Sequence, residues 1–132
     1  MLRTRFGIEI EFTGITRNEA AKVTADYLNG TVVSTGDYYD TKKVTATDGR
    51  VWKIMSDGSI SCQKKQGRRK VAATKEYSVE LVSPILTYQE DIKTLQELIR
   101  RLREAGAFTN NSCGIHIHLD GADHTSRSIR NF

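Results

Sequence analysis

Acidic and imidazole side chains recur at alternating positions in three separate segments of the chain. They are Glu9 and Glu11 in the first segment, Glu76 and Glu80 in the second, and His116 and His118 in the third. Side chains two residues apart point to the same face of a β-strand. If the three segments are strands of one sheet, that face predicts a metal site. Carboxylates with one or two imidazoles suit Mg²⁺ or Mn²⁺.

Two other interpretations of these residues stay open. For any one strand the acidic positions fit a solvated outer face, where charged side chains cost little. Such a face normally mixes in lysine, arginine, threonine and glutamine, whereas these positions present no cation, and like charges on neighbouring strands repel. Zinc could use His116, His118 and Cys113, but the sequence has no Cys-x-x-Cys and no histidines at helical i,i+4 spacing.

The same three segments alternate apolar residues with the polar ones, which predicts strands over 5–12, 75–82 and 114–120. Each strand would have one apolar face for helices to cover. The apolar positions are Phe6, Ile8, Ile10 and Phe12, then Tyr77, Val79 and Leu81, then Ile115, Ile117 and Leu119.

Helix and hairpin signals fill the intervals between these strands. Capping boxes at 16–19 and 87–90 predict a helix over 17–28 and a second helix that Gly106 closes. Residues 31–34 read as a strand, and Asp48-Gly49 predicts a type I′ hairpin between 38–47 and 50–55. The expected fold is α+β: a curved, mainly antiparallel sheet with two helices on its apolar face and a third helix beginning near the end of the chain.

Length and composition predict a single domain. The chain has 132 residues, of which 38% are hydrophobic and 27% charged, and no apolar run approaches a membrane span. With no signal-peptide pattern and only two cysteines, Cys62 and Cys113, we expect a cytoplasmic protein with reduced thiols. The basic residues 64–70, predicted to form a loop, and the sequence pI of about 9.2 suggest a nucleic-acid-binding module as an alternative function, although the net charge of +4 falls short of a nucleic-acid signature. The absence of an aromatic RNA-binding motif argues against it.

Four blocks, in order, resemble the amidoligase family, whose catalytic domain is similar to those of glutamine synthetase and γ-glutamylcysteine ligase. The blocks are Phe-Gly-Ile-Glu-Ile-Glu-Phe at 6–12, Trp-x4-Asp-Gly-Ser-Ile at 52–60, Glu-Leu-Val-Ser-Pro-Ile-Leu at 80–86 and Asn-Ser-Cys-Gly-Ile-His-Ile-His at 111–118. The resemblance implies an ATP- and Mg²⁺-dependent ligase that joins a carboxylate to an amine through an acyl phosphate. Its substrates would be amino acids, peptides, cell-wall fragments or protein side chains.

The resemblance also implies a role for individual residues. Glu9, Glu11, Glu80 and His116 match metal ligands, His118 matches a histidine near the nucleotide phosphates, and Asn111 and Gly114 match the acid-substrate pocket. Asp57 matches a catalytic position with a metal or amine-site role, although Asp-Gly is also an ordinary turn pair. Glu76, a looser match, is a further metal candidate.

The chain departs from the family pattern after the second histidine. Glutamine-synthetase-like sites draw arginines, and often another glutamate, from the half of the domain that follows, and only fourteen residues follow His118. We therefore expect 1–132 to be a C-terminally truncated domain. A remnant without catalysis is a further alternative, and an exposed sheet edge at the cut predicts a homo-oligomer.

Overall fold

The computed structural model describes residues 4–119 and the backbone of residues 126–129. The described elements are strands, two α-helices and one 3-10 turn. In chain order they are β1 (Arg5–Phe12), α1 (Arg17–Leu28), β2 (Thr31–Ser34), β3 (Lys42–Thr45), β4 (Val51–Met55), β5 (Gln63–Gln66), β6 (Arg69–Ala72), the 3-10 turn (Lys75–Tyr77), β7 (Val79–Val82), β8 (Leu86–Thr87), α2 (Tyr88–Glu104), β9 (Ile115–Leu119) and β10 (Ser126–Ile129).

The main sheet has the strand order β10-β9-β1-β7-β4-β3-β2, with β8 paired to β1. Every pairing in it is antiparallel. β1 is central, since β7 and β9 flank it on its two sides. The predicted α+β class and antiparallel sheet are thus confirmed.

Both helices cover the apolar face of this sheet. α1 begins with the predicted capping box: Glu19 N–H donates to the Thr16 hydroxyl at 3.1 Å, and Thr16 N–H donates to the Glu19 carboxylate at 3.0 Å. Its buried positions include small residues, which let the helix lie close to β3 and β4. α2 buries Leu95, Leu98 and Leu102. Within the described residues, neither helix is both long and apolar enough to cross a membrane.

The start of α2 differs from the predicted capping box. The Thr87 side chain makes no cap hydrogen bond. Instead, Thr87 N–H donates to the Asp91 carboxylate at 2.8 Å, and Asp91 also forms an ion pair with Arg50 at 2.9 Å. The β3–β4 turn also differs from the predicted type I′ form, because Gly49 has a positive φ of 87° and Asp48 does not.

The far end of β1 is fixed to the segment that follows α2. Thr13 N–H donates to the Phe108 carbonyl and Phe108 N–H donates to the Thr13 carbonyl, each at 2.9 Å. Gly14, with φ 94°, approaches the Gly106 carbonyl so closely that a Cβ there would lie 2.4 Å from this oxygen. This junction sets the position of the strand end that carries Glu11.

Three further local predictions are wrong. Residues 75–77 form a 3-10 turn instead of the start of a strand, because Arg17 Nη1 donates to the carbonyls of both Lys75 and Ser78 at 2.8 Å. The basic segment 64–70 is not a loop, since β5 and β6 form a separate two-stranded hairpin. The predicted terminal helix is absent at 126–129, where β10 pairs with β9; residues 120–125 and 130–132 lie outside the described residues.

Candidate metal centre

The strand register brings the three chemistry-bearing segments to one face of the sheet. Glu11 of β1 lies directly opposite Glu80 of β7, and Glu9 lies opposite His116 of β9. His118 lies two residues farther along β9. Directly opposed residues of antiparallel strands project to the same face. These five side chains therefore lie on the sheet face opposite the helices.

Asp57 reaches this face from the turn after β4. The Ser59 backbone N–H and hydroxyl both donate to Asp57 Oδ1, at 2.9 and 2.7 Å. The buried Ser78 hydroxyl donates to the Asp57 carbonyl at 2.7 Å and accepts from its N–H at 2.8 Å. Asp57 is thus part of a turn, as its Asp-Gly pair indicates; two hydrogen bonds from Ser59 orient its carboxylate, and two with Ser78 hold its backbone beside the sheet.

Three carboxylates converge at this end of the sheet. Ligand oxygens of Glu11, Asp57 and Glu80 all lie within 4.8 Å of one another. Gly114 N–H donates to Glu11 Oε1 at 2.8 Å, which orients this carboxylate and leaves its second oxygen available. Ligands on opposite sides of Mg²⁺ are about 4.2 Å apart. The three oxygens are therefore close enough together to be candidate ligands of one divalent cation.

Burial, and secondarily charge repulsion, raises the pKa of two carboxyl groups in this cluster. Burial, helped by the charges of Glu9 and Asp57, raises the pKa of Glu80 to about 7. Burial and the hydrogen bond with Asp57 likewise raise the pKa of Glu11 to about 7. The same hydrogen bond is the main cause that lowers the pKa of Asp57. Asp57 therefore stays ionised, whereas Glu11 and Glu80 bind protons more readily than ordinary carboxyl groups do.

Glu9 and the two histidines form a second group beside the cluster. His118 Nε2 lies 3.5 Å and His116 Nδ1 lies 3.9 Å from the Glu9 carboxylate oxygens. His116 Nδ1 is buried and has no hydrogen-bond partner. A buried nitrogen without a partner is costly, and a bound cation would satisfy it. The donor set of four carboxylates and an unpaired imidazole nitrogen therefore fits Mg²⁺ or Mn²⁺.

Three further predicted site residues lie in different surroundings. Gly114 contacts the cluster through Glu11, as described above. Asn111 is exposed in the turn before β9. Its neighbour Asn110, which sequence analysis missed, holds this turn by donating to the Ser61 carbonyl at 2.8 Å. Glu76 is exposed on the 3-10 turn and is not brought into the cluster.

The face also carries two lysines that sequence analysis missed. Lys53 of β4 lies opposite Val82 of β7, and Lys43 of β3 lies opposite Lys53. The expectation of a face without cations is therefore wrong. The sequence of β4 does contain the relevant pattern: the buried Trp52 and Ile54 alternate with Lys53, which places Lys53 on the polar face. From the sequence, this segment was used only to predict a hairpin strand.

The zinc alternative gains no support from the geometry. Cys113 is buried, and its Sγ lies 3.6 Å from Asn110 Oδ1. Within residues 4–119, the cysteine and the two histidines do not form a group of converging ligand atoms, whereas Glu11, Asp57 and Glu80 do.

Comparison with known proteins agrees with the motifs. No match to a curated protein was found. A family model described as "Putative amidoligase enzyme" matches residues 2–132 and so includes all of the cluster. Because the match spans nearly the entire chain, this protein belongs to the amidoligase family.

Proposed function

We propose that this protein forms an amide bond between a carboxylate and an amine at the expense of ATP, using Mg²⁺ or Mn²⁺ bound on the acidic face. The observation that carries the proposal is the convergence of Glu11, Asp57 and Glu80 in a chain of the amidoligase family. A structural ion-pair network would supply cationic partners. Within residues 4–119 no cationic side chain is within ion-pair distance of these three carboxylates.

The residues divide into two adjoining sets of ligands. Glu11, Asp57 and Glu80 would hold one cation, and Glu9 with His116 would hold another on the neighbouring row of the sheet. When bound, such ions neutralise phosphate oxygens and stabilise the charge that develops during phosphoryl transfer.

Hydrogen bonds within the chain orient the carboxylates of this site before any ligand binds. Gly114 N–H holds one oxygen of Glu11, and the two donors of Ser59 hold one oxygen of Asp57. Groups that are already oriented lose little free energy to reorganisation when charge develops. The low pKa of Asp57 keeps this residue ionised, so it can attract a cation or the ammonium group of the amine substrate.

The proposed reaction has two steps. An oxygen of the substrate carboxylate attacks the γ-phosphorus of ATP, which gives an acyl phosphate and ADP. The amine nitrogen then attacks the acyl carbon, loses a proton and displaces inorganic phosphate. His118, exposed at the rim beside Glu9, would lie near the nucleotide phosphates, and Asn111 would border the pocket for the acid. The acid would be an amino acid, a peptide or a protein side chain.

Metal titration tests this proposal most directly. We expect Mn²⁺ to bind the parent chain, and Glu11→Gln to weaken this binding at least tenfold because an oriented anionic ligand is lost. Glu76→Gln is the matched control, since Glu76 is exposed and outside the cluster. ADP release with a panel of amino acids and amines should likewise be lower for Glu11→Gln than for the parent, and unchanged for Glu76→Gln. Equal Mn²⁺ affinities in the parent and Glu11→Gln would refute the proposal.

A further inference from the structure

The hairpin formed by β5 and β6 carries five cations within seven residues. They are Lys64, Lys65, Arg68, Arg69 and Lys70, and all five are exposed. Residues 58–75 include no aspartate or glutamate. Among residues 4–119, none of the five cations forms an ion pair, whereas several cations elsewhere in the chain do. The hairpin is therefore a basic surface to which the described part of the chain supplies no anionic partner.

Two of these lysines lie directly opposite each other. The register pairs Lys65 with Lys70, and directly opposed side chains of antiparallel strands project to the same face. Their ammonium groups lie 5.8 and 4.5 Å from the centroid of the Phe108 ring. These contacts with the ring offset part of the repulsion between the two like charges. An anion bound beside both lysines would offset more of it.

The base of the hairpin lies at the end of β1 that carries Glu11. Gln63 N–H donates to the Thr13 hydroxyl at 2.9 Å, and Gly14 N–H donates to the Gln63 carbonyl at 3.0 Å. Gln63 also follows Asp57 by six residues in the sequence, and six residues span at most about 22 Å. An extended ligand bound along the hairpin can therefore reach the acidic cluster.

A pocket of about 610 Å³ adjoins the hairpin where Lys65 approaches Phe108. Apolar and cationic side chains both line it, among them Ile99, Leu102, Ala107, Phe108, Lys65 and Arg103. Glu104 lines it as well, but its carboxylate is paired with Arg100. Apolar surface beside cations suits a ligand that has both apolar and anionic groups. An acidic polypeptide is such a ligand.

A nucleic acid fits these observations less well than an acidic polypeptide does. Proteins that bind single strands stack the bases on aromatic side chains, and residues 63–72 contain no aromatic residue. The two rings nearest the hairpin cations, those of Tyr77 and Phe108, already have lysine ammonium groups beside them. The proposed function also requires a carboxylate substrate, which glutamate and aspartate side chains supply.

We propose that the β5–β6 hairpin is the docking surface for the acid substrate, and that this substrate is a polypeptide rich in glutamate or aspartate. This inference rests on the proposed function. Several carboxylates of the polypeptide pair with the hairpin cations, and a neighbouring carboxylate extends to the acidic cluster. Each exposed pair contributes little alone. Together they hold the reacting carboxylate at a high effective concentration near the metal ligands.

Fluorescence anisotropy with labelled decaglutamate tests the docking surface. The parent should bind decaglutamate more tightly than decaglutamine. Arg68→Gln/Arg69→Gln should lower the decaglutamate affinity about fivefold, because two exposed cations are lost. Lys22→Gln/Lys93→Gln is the matched control, since it removes two exposed charges from the helices. Both variants should fold, which circular dichroism checks. In assays of ADP release with decaglutamate, the hairpin variant should raise KM and leave kcat unchanged.

The outcomes separate this inference from the proposed function. If the hairpin variant binds decaglutamate as tightly as the parent does, or if the helix control loses as much affinity, the docking surface is refuted while the ligase proposal stands. A single-stranded DNA decamer that binds more tightly than decaglutamate would assign the hairpin to nucleic acid and also refute the inference. Absence of Mn²⁺ binding by the parent would instead refute the proposed function, and the substrate role of the polypeptide with it.

Discussion

Replacing Glu80 with glutamine should stabilise the metal-free protein above pH 7 and weaken its stabilisation by Mn²⁺. Burial together with the charges of Glu9 and Asp57 raises the pKa of Glu80 to about 7 from the ordinary 4.5. The folded state therefore binds this proton more tightly than the unfolded state does. The contribution to stability is fully present below pH 4.5 and is lost as the pH rises through 7.

The size of the effect follows from the pKa. The difference between 4.5 and about 7 corresponds to about 3 kcal/mol for a fully buried group. Glu80 is only partly buried, and solvent screening reduces the figure to about 1–2 kcal/mol. Glutamine removes the charge and keeps the shape. The variant should therefore unfold about 3–7 °C higher than the parent at pH 8, and at nearly the same temperature at pH 4.

Thermal unfolding at pH 4, 6 and 8, with a chelator or with Mn²⁺, measures both effects. Under the proposed function, the parent should gain stability from Mn²⁺ at pH 8, because a metal that binds only the folded state stabilises it. Glu80→Gln should gain much less, although it is more stable in chelator. Glu76→Gln should behave as the parent does in both conditions, because that carboxylate lies outside the cluster.

The reasoning fails if Glu80→Gln is less stable than the parent in chelator at pH 8. That result would mean that the Glu80 carboxylate makes favourable contacts that the structure does not show. An equal gain from Mn²⁺ in both proteins would exclude Glu80 as a ligand.

Three further predictions concern other parts of the molecule. Ser59→Ala removes one of the two donors to the Asp57 carboxylate, and Mn²⁺ titration should show affinity about tenfold lower. Gly14→Ala should destabilise the fold by about 3 kcal/mol or more in urea unfolding, because a Cβ at φ 94° would lie 2.6 Å from the Phe108 ring. Replacing the cations of 64–70 with glutamine should leave Mn²⁺ and MgATP affinity unchanged in calorimetry, since these residues belong to a hairpin outside the main sheet. Loss of affinity there would assign the hairpin to the ligand site.

Sequence alone predicted those strands in which apolar and polar residues alternate, because this alternation indicates one buried face and one polar face. In β1 the positions of Phe6, Ile8 and Ile10 distinguish a buried face from a polar one, and the central place of the strand makes this pattern continuous. The capping box at Thr16 was also readable because all of its contacts are local. Signals of this kind need no knowledge of distant parts of the chain.

Two of the wrong predictions depended on partners distant in sequence. Alternation over 75–82 suggested one strand. However, the Arg17 guanidinium donates hydrogen bonds to two carbonyls in this segment, and its first residues form a 3-10 turn. The run of basic residues at 64–70 suggested a loop. The hairpin forms nevertheless, with the Lys65 and Lys70 ammonium groups 5.8 and 4.5 Å from the centroid of the Phe108 ring.

The candidate site was predictable in its residue types but not in its grouping. Glu11 and Glu80 follow from alternation, whereas the approach of Asp57 depends on Ser78, which lies 21 residues away in the sequence. The register of β7 against β1 also decides which glutamates meet. A shift by two residues would place Glu9 opposite Glu80 and leave Glu11 without its partner.

Under the proposed function, the separation of charges on the sheet face suits a metal-bound anion. Lys53 and Glu80 are diagonal neighbours on one face, yet no ion pair joins them within residues 4–119. A direct pair would neutralise both groups and remove the need for any ligand. Because Glu80 faces Glu11 and Lys53 faces Lys43, each like-charged pair is destabilising alone. A ligand that brings a cation to one pair and an anion to the other relieves both, and a metal–nucleotide complex carries both charges in one molecule.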